Sequence, residues 1–348
     1  MRAVYIPLIE IIMTKLIKFL TVAALKQAVY KLQASLCVLG VLITINSNSV
    51  IAGLNESGKN YAIPLQKQYQ SLNKELTNNQ FNRPLVLNST ETTDQLKGEI
   101  YAVLDYPFAT VSTALNSPNN WCNALILHIN VKYCDAEINP SGTIIHLNLG
   151  KKHDQPLADT YKASFNYTEM TTSADYFSIE LKAALGPLGT TDYRIWVEAT
   201  PLKNGRTFLH FTYEYSFGLK GRLAMKGYLA TVGKDKVGFT PINQSQSNQS
   251  QSNQSQVNQS TDDQIESTKT QYIKGVRGVV ERNTMRYYLA LDAFLASLSH
   301  PKTMQIEKSL NNWFDQTENF ARQLHEVTKE QYLTMKASEI KRMEISTN

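Results

Sequence analysis

The 348-residue chain reads as an α+β protein, a curved antiparallel sheet of about seven strands gripping a long C-terminal helix, with an added tail helix. Three observations predict it. Thr207 to Phe217 alternates, with Leu209, Phe211, Tyr213, Tyr215 and Phe217 on one face and Phe208, His210, Thr212, Glu214 and Ser216 on the other. A period of two marks a strand with one buried side. Lys97 to Asp105 runs into Pro107-Phe108 and two short helical segments. Thr270 to Ser299 sets Val276, Val280, Tyr287, Leu291, Phe294 and Leu298 near one helical face before His300-Pro301 ends it.

Residues 1–52 read as an export signal. Arg2, Lys15, Lys18, Lys26 and Lys31 stand against Glu10 alone, and an apolar stretch follows from Leu36 to Ile45. Asn46 to Ser49 are polar, and Val50-Ile51-Ala52 suits cleavage after Ala52. Met13 offers a more compact start. The alternative is an uncleaved membrane anchor, although the apolar core is about half of the roughly 20 residues a span needs. Cys37 lies inside the apolar stretch behind Leu36, which argues against lipidation. The expected localisation is periplasmic or secreted. Residues 53–348 carry 30 basic and 29 acidic side chains, so all but one unit of the net charge of +5 belongs to the leader. The remainder has no electrostatic reason to bind nucleic acid.

Residues 53–95 form an N-terminal helical extension. Tyr61, Leu65, Tyr69, Leu72 and Leu76 have helical spacing and predict a short amphipathic helix on the outside of the domain. Pro84 ends it, and Leu85-Val86-Leu87 has the character of a brief strand. The main domain spans 96–299. Pro107 opens a helix through Leu115, and Ser117-Pro118 restarts a second through Leu125. Strand patterns follow at Leu127–Tyr133, Thr143–Leu149, Tyr161–Met170, Tyr176–Lys182, Tyr193–Thr200 and Thr207–Phe217. Connectors such as Asn139-Pro140-Ser141-Gly142 and Lys203-Asn204-Gly205 are short, which favours antiparallel neighbours. An Asn/Gln/Ser tract within 243–263 has almost nothing apolar to bury and reads as a disordered insertion. Residues 300–348 make a helical tail in which Leu310, Trp313, Phe320, Leu324 and Val327 form a stripe. That stripe packs on the domain or, alternatively, binds a protein partner.

After export, Cys122 and Cys134 remain in an oxidising compartment, and a disulfide between them is expected; two buried thiols are the alternative. His128 lies between them, but the spacing fits no familiar zinc pattern. No cofactor is expected.

This order of elements, over roughly residues 95–299, resembles the START-like superfamily of lipid-transfer and polyketide-cyclase type helix-grip domains. The resemblance rests on Lys97–Pro107 with its following helices and on Tyr272–Leu298 as the closing helix. It implies a ligand of lipid, sterol or polycyclic type between sheet and final helix. The residues allow such a cavity. Phe165, Tyr167, Ile195, Val197, Leu209, Phe211, Tyr213 and Tyr215 would line the sheet, facing Tyr287, Leu291 and Phe294. A filled aromatic core is the alternative.

On the closing helix, Arg277 and Glu281 have ion-pair spacing. Arg282 and Arg286 would either clamp an acidic head group or pair with Glu198 or Glu214. No nucleophile elbow, phosphate loop or paired-His metal motif is present in the sequence. His210 and Glu214 share a face that should look outward. The expected function is an exported, non-catalytic binding protein for a hydrophobic small molecule or lipid, with transient membrane contact. Alternatives are an interaction protein with a filled core, or a cyclase- or hydrolase-like enzyme.

Overall fold

A computed structural model describes residues 61–231, 233–242 and 270–347. The expected leader and its cleavage point, the start of the N-terminal extension and the whole 243–263 tract lie outside the described residues. Helices α1 (Ala62–Ser71) and α2 (Asn73–Thr77) come first, then strands β1 (Leu85–Glu91) and β2 (Gln95–Leu104). Helices α3 (Phe108–Leu115) and α4 (Pro118–Leu125) lead to β3 (Val131–Asn139), β4 (Gly142–Leu149), β5 (Tyr161–Thr172) and β6 (Phe177–Leu185). Next come β7 (Thr190–Pro201), β8 (Thr207–Phe217) and helix α5 (Leu219–Ala230). The closing helix α6 (Gly275–Ser297) precedes α7 (Lys302–Glu318), α8 (Ala321–Leu324) and α9 (Lys329–Thr347).

The eight strands form one sheet in the order β1-β2-β8-β7-β6-β5-β4-β3. Every neighbouring pair is antiparallel. The brief strand at Leu85 is a full member, so the count is eight rather than about seven. Register puts Ile100 beside Phe211 and Phe211 beside Val197, so their side chains share the face covered by α6. This is the helix-grip arrangement expected from the sequence, extended by β1 and by the tail.

The closing helix approaches β2 at Gly98, where an added Cβ would collide with Thr284 Oγ1. Glycine is therefore required to let the helix lie against the strand. Glu281, fully buried, anchors the same crossing. It accepts hydrogen bonds from Ser89 Oγ and Thr240 Oγ1, both at 2.6 Å, and from the Phe239 and Thr240 amides. The expected Arg277–Glu281 ion pair gives way to this network, and Arg277 bonds Ser89 instead. A buried carboxylate needs several donors, and the loop before α6 together with Ser89 of β1 supplies them.

The outer face of β8 is not uniformly polar. Phe208 and Thr212 are buried, Phe208 under α1, whose Ala62 and Leu65 pack with Val103 and Tyr176. Strand β3 begins at Val131, four residues later than the pattern at Leu127 suggests. Residues 127–130 instead make a turn held from outside by the tail. Tyr332 Oη donates to Leu127 O at 2.8 Å, and Lys336 Nζ donates to His128 O at 2.9 Å and Val131 O at 2.8 Å. Lys132 and Lys336 share the Glu339 carboxylate at 2.9 and 2.7 Å, with all three side chains fully buried. The tail is three helices rather than one. Its apolar stripe is covered by its own domain, with Trp313 and Leu324 buried. Cys122 and Cys134 are joined, with Cα atoms 5.2 Å apart, tying α4 to β3.

Candidate functional site

A cavity of about 400 Å³ opens where the sheet meets α5 and the first half of α6. Phe165, Tyr213, Tyr215, Arg282, Arg286 and Tyr287 line it. Tyr167, Ile195, Val197, Leu209, Phe211, Leu291 and Phe294 do not; all except the half-buried Tyr167 are core residues. Tyr167 sends its hydroxyl to Leu115 O at 3.5 Å. The correction has a simple cause. Alternation identifies the face of a strand, whereas α3, α4 and the rest of α6 fill much of that face with side chains.

The other walls come from places the pattern did not single out. Helix α5 turns Gly221, Ala224, Met225 and Tyr228 inward, a spacing of three and four residues that makes one helical face. Two of its leucines point the other way, Leu219 at 74% exposure and Leu223 at 61%. Gly221 is buried against Phe217 and the carbonyl of Gly189, which brings the helix close to the Pro187–Gly189 turn. Leu188 in that turn lines the cavity with φ of 58°, an uncommon backbone for leucine. Tyr193 also lines the wall. It shares a strand face with Ile195 and Val197, so alternation could have found it.

Aromatic rings form a continuous inner surface. Tyr193 stacks on Tyr215 with centroids 5.1 Å apart, and Tyr213 meets Tyr287 at 5.2 Å. Tyr287 stacks in turn on His128 at 4.3 Å. Burial pushes the Tyr213 and Tyr287 phenols well above their ordinary range, so they remain neutral donors.

His128 is 2% exposed. Its Nδ1 accepts the Asn130 amide at 3.1 Å, which assigns the ring proton to Nε2. Burial, with Arg286 and three lysines nearby, holds the ring well below the usual histidine range and keeps it neutral. Arg286 donates through Nη2 to Glu326 at 2.7 Å and to Leu324 O at 3.2 Å. Arg282 donates to Val237 O at 3.1 Å. Neither reaches Glu198 or Glu214, which stand on the opposite face of the sheet.

There, His210 bridges Glu198 at 2.8 Å and Glu99 at 3.1 Å and stacks on Tyr101. Burial alone would lower the His210 pKa, but its bonds to the two carboxylates raise it. Glu214 takes Arg194 at 3.4 Å instead of His210. This cluster is a partly buried ion network remote from the cavity.

A second cavity, of about 540 Å³, is lined chiefly by polar side chains, including Gln80, Asn82, Arg83, Gln316, Asn319 and Arg322. Its Arg83 is already held by Asp292, Tyr288 and Gln316. No group of three or more potential metal ligands occurs among the described residues.

No family model matches the sequence, and no curated protein matches it. Solved structures do resemble it. Truncated norcoclaurine synthase from Thalictrum flavum is 12% identical with a TM-score of 0.30, over 40% of this chain and 86% of that one. The Zhui aromatase/cyclase from a Streptomyces species is 11% identical with a TM-score of 0.29, over 40% of this chain and 86% of that one. Human StAR-related lipid transfer protein 5 is 8% identical with a TM-score of 0.27, over 49% of this chain and 91% of that one. At these values the likeness says nothing of ligand or activity.

Proposed function

We propose that this protein is an exported carrier that binds a hydrophobic small molecule or lipid in the cavity beside α5 and releases it unchanged. The carrying observation is a cavity of about 400 Å³ walled by aromatic and apolar side chains with a few convergent polar groups. That is the usual make-up of a small-molecule site, where drug-sized ligands occupy about 300–1,000 Å³. The histidine tautomer supports binding over catalysis. With Nδ1 engaged by the Asn130 amide, His128 offers a donor and no free lone pair for proton abstraction. The disulfide supports export, because such bridges persist in oxidising compartments.

Loading from an anionic lipid surface is part of the same reading. The outer side of α5 carries exposed Leu219 and Leu223, beside exposed Leu185 and Leu188. Lys220, Arg222 and Lys226 accompany them, and no acidic residue lies between Phe217 and Thr231. An apolar patch ringed by cations suits insertion among anionic head groups. No helix among the described residues is long and apolar enough to cross a membrane, so the contact proposed is peripheral.

One assay tests both parts. Vesicles containing phosphatidylserine are loaded with a fluorescent single-chain lipid, and extraction by the lipid-free protein is followed. Ala224→Trp fills the cavity from α5 and abolishes extraction while leaving the melting temperature nearly unchanged. Leu219→Asp with Leu223→Asp slows extraction and weakens vesicle binding. Normal extraction by the tryptophan variant would place the ligand elsewhere, and normal vesicle binding by the aspartate variant would remove α5 as the contact.

A further inference from the structure

We infer that the cavity selects a carboxylate-bearing amphiphile, whose two oxygens accept hydrogen bonds from His128 Nε2 and Arg286 Nε. The inference rests on the ligand-binding reading above and names the chemical class of the ligand.

Both donors are buried, belong to residues that line the cavity and have no partner among the described residues. His128 is 2% exposed and Arg286 3%. The proton on Nε2 is fixed, because Nδ1 is occupied by the Asn130 amide. Arg286 uses the Nη2 end of its guanidinium on Glu326 and Leu324 O, and its Nε has no acceptor among the described residues. Buried donors without acceptors are unfavourable, so two on cavity-lining residues point to an acceptor supplied by the ligand.

Charge gives the sign of that acceptor. The single Glu326 carboxylate is shared by Arg286, Lys152 and Lys236, at 2.7, 2.6 and 3.1 Å. Arg282 has no ion pair among the described residues. Arg282, Arg286, Lys151 and Lys152 line the cavity against Asp159 alone. Excess positive charge at a buried wall favours an anion. The crowding already shows on Lys152, whose ammonium burial and Arg286 push down to about 8 despite Glu326. The pair of N–H donors matches the two oxygens of a carboxylate, and a charged acceptor strengthens both bonds. Phe165, Leu188, Tyr193 and Met225 receive the apolar body. A volume near the lower end of the small-molecule range suits a single chain or compact ring system.

The test compares cis-parinaric acid with its methyl ester, a fluorescent pair of nearly equal apolar body. Both are titrated into the full, delipidated protein. The acid should bind tighter by about tenfold or more, the size expected of hydrogen bonds to a charged group. His128→Phe keeps a ring for stacking on Tyr287 but removes the donor, and should bring the acid-to-ester ratio close to one. His128→Gln retains an N–H and should restore most of the preference. Equal affinity of the wild type for acid and ester would overturn the inference and leave the carrier reading standing. An unchanged ratio in His128→Phe would also overturn it. Binding of neither probe would overturn the carrier reading and the inference with it. The wild-type ratio decides the matter even if a variant fails to fold.

Discussion

Replacing Glu339 with alanine is expected to destabilise the domain by about 3–5 kcal/mol, the range for removing one partner of a buried ion pair. For a domain of this size that lowers the melting temperature by on the order of 10 °C. The reason is specific to the cluster. Lys132 and Lys336 are fully inaccessible, and Glu339 is the carboxylate they share. Without it two ammonium groups face each other in the interior, with only backbone carbonyls and the Met335 sulfur as partners. Burial already pushes Lys336 down to about 8 with the carboxylate present. The triple change Lys132→Met, Lys336→Met and Glu339→Leu should recover most of the loss, since apolar residues of similar size commonly replace buried ions without penalty. Calorimetry on both variants checks this. A single-mutant loss below about 1 kcal/mol, as for an exposed pair, would mean that water reaches the cluster.

Removing the disulfide is the second large effect. Changing Cys122 and Cys134 to serine opens a link between residues 12 apart in sequence. The unfolded chain gains freedom, and the expected loss is about 2–4 kcal/mol. Urea unfolding with and without reductant should show the same difference in the wild type and none in the double variant. Alkylation before and after reduction, on protein taken from its own host, tests export at the same time. Two thiols free to react in the unfolded, unreduced protein would contradict both the bridge and the oxidising destination.

The sheet was largely legible because its strands alternate. Thr207–Phe217 keeps its predicted boundaries, and the closing helix differs by a few residues at each end. The cavity was legible only in part. Tyr213, Tyr215 and Tyr287 follow from the correct faces, but Leu209, Phe211 and Leu291 share those faces and are packed solid. A period gives direction, whereas the depth of filling depends on which segments cross overhead. Helix α5 escaped notice for a different reason. Its inward face is glycine, alanine, methionine and tyrosine, and Leu219 and Leu223 look outward, the reverse of an ordinary amphipathic helix. Charges misled in the same way. Glu281 had only ion-pair spacing with Arg277, and nothing local marked Lys132 or Lys336; their burial depends on partners about 40 to more than 200 residues away in sequence. His128 was visible only as a lone histidine between cysteines. Its position depends on a turn that the tail holds in place.

That dependence has a kinetic consequence. Lys132 and Glu339 are separated by 207 residues, and the carbonyl of His128 is reached from Lys336 across 208. Closing so long a loop demands its entropy before the contact returns any energy. The strands from β4 to β8 can pair with near neighbours as hairpins, on local contacts alone. The turn bearing His128 gains its tail supports only when the chain's far end arrives. This part of the cavity wall is thus assembled late, and a partly folded chain can hold most of its sheet while the cavity is still incomplete.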